Sequence, residues 1–180
     1  MKILMLVGPS GSGKSTIEKE LNSENGFHKV VSHTTRKKRV GEIEGIDYHF
    51  VDKEFFQMNE SDFAEIVLFN ETNYGAHKNS FNENLLNILV VEPHGQIEIS
   101  NYFKDKNVEI ITVLLDIQKE KQLERMISRG DSEEDVISRL QNENIREEMY
   151  SLDFDFSINT DRVDLEKSVN LIKSYLKEGI

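Results

Sequence analysis

The chain has 180 residues, 33 of them acidic against 22 basic, no cysteine and a formal net charge of −11. That length suits one domain with a real core, the negative balance argues against non-specific binding to nucleic acid or to an anionic membrane, and the lack of cysteine excludes disulfides and thiolate metal sites. No apolar run is long enough for a signal-peptide core or a membrane span, so a soluble, cytoplasmic protein is expected.

Residues 3–7 (Ile-Leu-Met-Leu-Val) read as a buried strand, and Thr16 to Leu21 as the start of a helix. Between them lies Gly8-Pro9-Ser10-Gly11-Ser12-Gly13-Lys14-Ser15. Glycines there let backbone amides approach a polyphosphate without a Cβ in the way. The helix start adds its unpaired amides and dipole, Lys14 reaches the β- and γ-phosphates, and the Ser15 hydroxyl can ligate Mg2+. Strand, glycine loop and helix together predict a nucleoside triphosphate site; the bland alternative is a glycine turn joining two elements.

A short strand at residues 27–31 leads into Ser32-His33-Thr34-Thr35-Arg36-Lys37-Lys38-Arg39. Four consecutive positive side chains beside hydroxyls, in an acidic chain, suit a second anionic group facing the triphosphate, although a solvated charge run or a nucleic-acid patch would read the same way; the net charge fits the latter poorly. Residues 45–51 alternate like a strand. Asp52 fits as N-cap of a short helix carrying Phe55, Phe56 and Met58, and residues 64–69 read as another strand, with turn residues Asn70 to Asn73 before Tyr74-Gly75-Ala76. That hairpin would bring Glu65 and Tyr74 near each other.

Phe81, Leu85 and Leu86 fit one face of a helix ended by Asn87, before the buried strand 88–91 and its terminal carboxylate, Glu92. In a phosphate-loop protein an acidic group there can hold magnesium through water; a solvated strand end is the alternative. Ile97, Ile99 and Phe103 suggest a helix, and residues 108–115 a fully buried strand. Then comes a charged helix with Leu123, Met126 and Ile127 inside and Arg125 and Arg129 outside, a break at Gly130, and a second helix with Val136, Ile137, Leu140 and Arg139. Two arginine-bearing helices about a glycine resemble a closing lid. A strand at 154–158 and an amphipathic helix with Leu165, Val169, Ile172 and Leu176 end the chain. The alternation of strands with crossover-length helices predicts an α/β fold with a parallel sheet covered on both faces.

The phosphate loop through Thr16, the run Ser32-x-Thr34-Thr35-Arg36-x-x-Arg39-x-Gly41-Glu42-x-x-Gly45-x-Asp47-Tyr48, and Tyr74-Gly75, in that order and at those intervals, resemble guanylate kinases over nearly the whole chain. The resemblance implies a P-loop kinase core (residues 1–31 and 81–180), a small mixed α/β monophosphate-binding insertion (32–80) and a helical lid (about 126–142). It implies transfer of the γ-phosphoryl group of ATP to GMP, and to dGMP, with Mg2+. By match to the family's motifs, Gly8, Pro9, Ser10, Gly11, Ser12, Gly13, Lys14, Ser15, Thr16 and Asn159 would bind ATP. Ser32, Arg36, Arg39, Tyr48, Glu65, Tyr74 and Glu92 would form the acceptor pocket, with Glu65 accepting from guanine N1–H and N2–H₂. Lys14, Arg129 and Arg139 would neutralise the transferring group, and Ser15 and Glu92 would serve the metal, Glu92 through water.

The chain departs from the family pattern in three places. Ala76 stands where a Ser or Thr usually donates to guanine O6, Val90-Val91-Glu92 replaces Asp-x-Asp, and the interval from Arg129 to Arg139 is about one residue short. Two other readings therefore stay open: a related kinase for another or a modified (deoxy)nucleoside monophosphate, and a non-catalytic guanylate-kinase-like protein-binding module. The intact phosphate loop opposes the second.

Overall fold

The computed structural model describes residues 1–69, 71–141 and 143–178. Asn70, at the start of the expected hairpin turn, and Asn142, at the end of the expected lid, lie outside them. The centre is β1 (Lys2–Val7), which feeds the glycine loop and α1 (Lys14–Asn22). After β2 (Phe27–Lys29), residues 33–77 supply β3 (His33–Thr34), β4 (His49–Phe50), α2 (Lys53–Met58), β5 (Phe63–Phe69) and β6 (Thr72–His77). The chain then runs through β7 (Leu86–Val90), α3 (Pro93–Phe103) and β8 (Glu109–Asp116). Three helices, α4 (Lys119–Ser128), α5 (Glu133–Gln141) and α6 (Glu143–Ser151), precede β9 (Phe156–Asn159) and α7 (Leu165–Glu178).

Two sheets result. One is parallel throughout, in the order β2-β7-β1-β8-β9; the other is mixed, in the order β4-β3-β6-β5. The predicted parallel sheet flanked by helices, with a small mixed insertion, is present. Successive β1 side chains show why both faces are covered: Ile3, Met5 and Val7 enter one apolar cluster with Leu89, Ile99 and Phe103, and Leu4 and Leu6 enter another with Ile17, Ile88 and Ile172. Ile3 to Val7, five of the six β1 residues, are fully buried, so polar substitution on either face would cost several kcal/mol.

Several elements differ from expectation. No helix covers Phe81 to Leu86; a 3₁₀ turn at Lys78–Ser80 leads into an Asn-rich loop, and Leu86 already pairs with Lys2 in the parallel sheet. Asn87 does not end a helix but is buried inside β7, where its amide donates to Lys2, Asn82 and Leu85 carbonyls and its Oδ1 accepts from the Asn82 amide. That network satisfies the loop backbone, which makes a helix there unnecessary. The strand expected at 45–51 shrinks to His49–Phe50, because Asp47 instead accepts the Ile43 amide in a local turn. In α4 only Met126 of the expected apolar trio is buried; Leu123 and Ile127 are exposed, and Arg125, expected outside, turns inward.

Candidate active site

The phosphate loop is held open by β1 and closed from below by β8. A Cβ on Gly8 would collide with the Leu115 carbonyl oxygen, so only glycine lets the chain turn there. Gly13 caps α1 in a left-handed conformation, and its carbonyl accepts the Thr16 and Ile17 amides, leaving the first amides of the helix directed into the loop. Lys14 Nζ folds back over the loop to the Gly8 and Pro9 carbonyls. Burial depresses its pKa, Glu92 works against that shift, and the charges of Arg139 and Arg129 add to it. An ammonium so placed gains strongly from an incoming polyphosphate.

Three arginines close over this loop. Arg139 donates to Ser10 Oγ at 2.5 Å, and Arg129 makes a side-on fork with Asp131. Arg125, which the sequence reading placed on the outer face, donates to the Gly11 carbonyl at 3.1 Å and to the Thr160 carbonyl at 2.7 Å. It ties the loop to the segment after β9. One signal was available: Arg125 and Arg129 lie four residues apart, on one face of α4.

On the acceptor side Arg36 grips both oxygens of Glu42 at 2.6 and 3.1 Å and lies over the Tyr48 ring, its carbon 5.3 Å from the centroid. The Arg39 amide donates to the same carboxylate at 2.7 Å. Tyr48 and Tyr74 meet edge to face, and burial raises the Tyr48 pKa, so its hydroxyl stays a donor. Glu65 is 6% exposed in β5, opposite Ala76 of β6. Burial, with a smaller contribution from Glu98, pushes its pKa up to about 8 despite the Ala76 amide.

One cavity of about 770 Å³ joins these parts. Its wall contains Pro9 to Thr16, Ser32, Arg36, Arg39, Tyr48, Glu65, Tyr74, Glu92, Arg129 and Arg139, as well as Arg125. Three residues singled out in the sequence stand outside that wall. Gly8 lies beneath the loop, and Ala76 is fully buried. Asn159 shapes the turn that follows β9: its Oδ1 accepts the Asp161 amide at 3.1 Å and its carbonyl the Arg162 and Val163 amides, so the wall is formed by Thr160 to Leu165.

For magnesium the fit is of one kind. Ser15 is exposed at the mouth of the loop, Glu92 lines the cavity as N-cap of α3 with no capping bond from its side chain, and Val90 stands where a second carboxylate would be. No group of three or more His, Cys, Asp or Glu able to hold a metal occurs among the described residues. One hydroxyl and one carboxylate suit a hard cation that takes its remaining ligands from phosphates and water, as Mg2+ does.

No helix among the described residues is long and apolar enough to cross a membrane. The guanylate kinase family model matches residues 1–179. The guanylate kinase of Fusobacterium nucleatum is 30% identical over 185 residues, covering 99% of this chain and 97% of that one. The guanylate kinase of Mycoplasmopsis pulmonis is 37% identical over 168 residues, covering 87% and 85%. Among solved structures, guanylate kinase from Anaplasma phagocytophilum superposes with a TM-score of 0.73 at 23% identity, covering 98% of this chain and 85% of that one, a likeness of fold. A phosphate loop and an arginine–tyrosine–glutamate pocket sharing one cavity, together with full-length matches of this kind, mean that the chain belongs to the guanylate kinase family of nucleoside monophosphate kinases.

Proposed function

We propose that the chain transfers the γ-phosphoryl group of ATP to GMP or dGMP, releasing ADP and GDP or dGDP. The observation that carries this reading is the single cavity whose wall holds the triphosphate loop at one end and Arg36, Arg39, Tyr48, Tyr74 and Glu65 at the other. In the transfer, a phosphate oxygen of the acceptor attacks Pγ while the bond from Pγ to the β–γ bridging oxygen breaks, and the electron pair leaves on ADP. The protein's task is alignment and charge compensation.

Loop amides and Lys14 hold the β- and γ-phosphates. Arg36, Arg39 and the two tyrosine hydroxyls fix the acceptor phosphate, with Ser32 beside them. Glu65, once ionised, accepts from guanine N1–H and N2–H₂. Arg139 and Arg129 offset charge on the group in flight, and Arg125 with the Thr160–Leu165 segment borders the adenine side. Ser15 and, through water, Glu92 would hold Mg2+, whose charge would offset that of the phosphates. Residues 32–80 and the lid at about 126–142 are the parts that close on the core of residues 1–31 and 81–180.

A coupled ADP-release assay over the common ribo- and deoxynucleoside monophosphates tests the reading. GMP or dGMP should be the best acceptor. Negligible GMP turnover beside efficient use of another monophosphate would replace it with the altered-acceptor reading, which Ala76 and the raised Glu65 pKa favour.

A further inference from the structure

Asp131 has no place in the phosphate or base contacts above, yet its side chain is only 2% exposed and it sits among arginines. Gly130, at φ 84°, reverses the chain after α4. The Gly130 amide then bonds the Ile127 carbonyl and the Asp131 amide bonds the Met126 carbonyl, a left-handed helix end that only glycine reaches without strain. This turn lays the Asp131 carboxylate back across Arg129, whose Nε donates to Oδ1 at 2.8 Å while Nη2 takes Oδ2.

The oxygen that accepts from Arg129 Nε, Oδ1, is also the one nearest the monophosphate-binding insertion. Arg39 Nη2 lies 3.9 Å from Oδ1, too far for a hydrogen bond, and that nitrogen is a buried donor with no partner among the described residues. Arg36, Arg139 and Arg129 all crowd Arg39 with like charge. Burial opposes the charge on Asp131, but the Arg129 fork and the fields of Arg129, Arg39 and Arg139 outweigh it and hold the carboxyl below its usual range. One aspartate therefore offsets several guanidinium groups, and it does so imperfectly on the Arg39 side.

We propose that Asp131 is a resident anion of the nucleotide-free protein: its carboxylate bridges Arg129 of the lid to Arg39 of the insertion, engaging guanidinium groups that line the cavity, and releases them when nucleotides enter. The inference rests on the phosphoryl-transfer reading and adds a competitor to it. A phosphate carries more charge and three acceptor oxygens, and can give Arg39 Nη2 the hydrogen bond that Asp131 does not. Once phosphates arrive the carboxylate is a surplus negative charge beside them, and Gly130 supplies the pivot on which it turns away.

The test is a calorimetric titration of wild type and Asp131→Asn with inorganic tripolyphosphate, without magnesium or acceptor. Removing the competing charge while keeping the side chain's shape should tighten tripolyphosphate binding about three- to tenfold, the range of a partly buried ion pair. Unchanged or weaker binding, in a variant whose circular dichroism and melting match wild type, overturns the proposal. A second measurement needs no variant: in wild-type protein the ¹³C carboxyl resonance of Asp131 should move toward that of a solvated aspartate as tripolyphosphate is added, and a resonance that stays in place also overturns it. Failure of wild type to phosphorylate GMP would count against the proposed function alone, because tripolyphosphate binding requires no acceptor.

Discussion

Glu65 should make acceptor binding depend on pH in a way that can be worked out from its surroundings. Its pKa is pushed up to about 8 by burial and then by Glu98, with Glu92 adding to the rise and the Ala76 amide opposing it. Guanine presents two donors to this side chain, and only the carboxylate accepts both. At pH 7 the neutral form outnumbers the ionised form roughly ten to one, so binding guanine first costs about 1.4 kcal/mol to remove a proton. At pH 8.5 about three-quarters of the groups are already ionised, and the GMP dissociation constant should be about eightfold lower than at pH 7. A phosphate monoester with a second pKa near 6 is dianionic through this window and contributes little.

Titration calorimetry in buffers of different ionisation enthalpy would count the proton directly. Roughly 0.9 should be released per GMP bound at pH 7 and roughly 0.2 at pH 8.5. Glu65→Gln should bind more weakly and lose the dependence. A dissociation constant that is flat between pH 7 and 8.5, with no proton released, would show that Glu65 is ionised in the empty pocket and refute the reasoning. For stability the same shift has the opposite sign. The folded carboxyl keeps its proton up to about pH 8 while the unfolded one loses it near 4.5, so the folded chain binds more protons across that window. Nucleotide-free protein should therefore lose stability as pH rises through it, measurable as a falling denaturant midpoint.

Lys14→Ala should fold normally and lose about 100-fold or more in kcat, since its charge is needed mainly as the β–γ bridge breaks; more than a tenth of the activity remaining in a coupled assay contradicts that role. Arg36→Lys should raise the KM for GMP far more than that for ATP, because an ammonium cannot reproduce the bidentate fork; equal effects on both return Arg36 to the surface. Arg125→Ala should raise the KM for ATP about tenfold or more by freeing Thr160 from the loop, with GMP affected less in the same initial-rate matrix. Ala76→Ser should improve kcat/KM for GMP more than for AMP, by roughly tenfold if the hydroxyl reaches O6. Because Ala76 is fully buried, the variant's melting temperature should be recorded alongside.

The sequence is legible where one local pattern has one physical meaning. An apolar pentapeptide, three glycines and a lysine at a helix start leave little else to build, and the loop is as expected. The errors came where a pattern had two meanings. Phe81, Leu85 and Leu86 have helical spacing, but three apolar residues also seal a loop, and here Asn82 and Asn87 supply the hydrogen bonds that decide the matter. The sequence puts Arg125 outside because charge usually faces water; its carbonyl partners, on the phosphate loop and after β9, are distant in sequence and leave no local trace. The Arg36–Glu42 fork was hidden differently. Both residues stood in the signature, but nothing in their spacing says that the glutamate satisfies the arginine when no phosphate is present.

The parallel sheet also shapes how the chain must be made. β1 leaves the ribosome well before its partners, which begin only at Leu86 and Glu109. Until those segments emerge, five apolar residues that end fully buried have no strand to pair with, and the phosphate loop has no floor, since Leu115 supplies it. The small mixed sheet is complete by His77 and can form earlier from near neighbours. Loop closure over such distances is slow, and an unpaired hydrophobic strand is prone to aggregation. The N-terminal residues that define the site are therefore the ones a nascent chain must shelter longest.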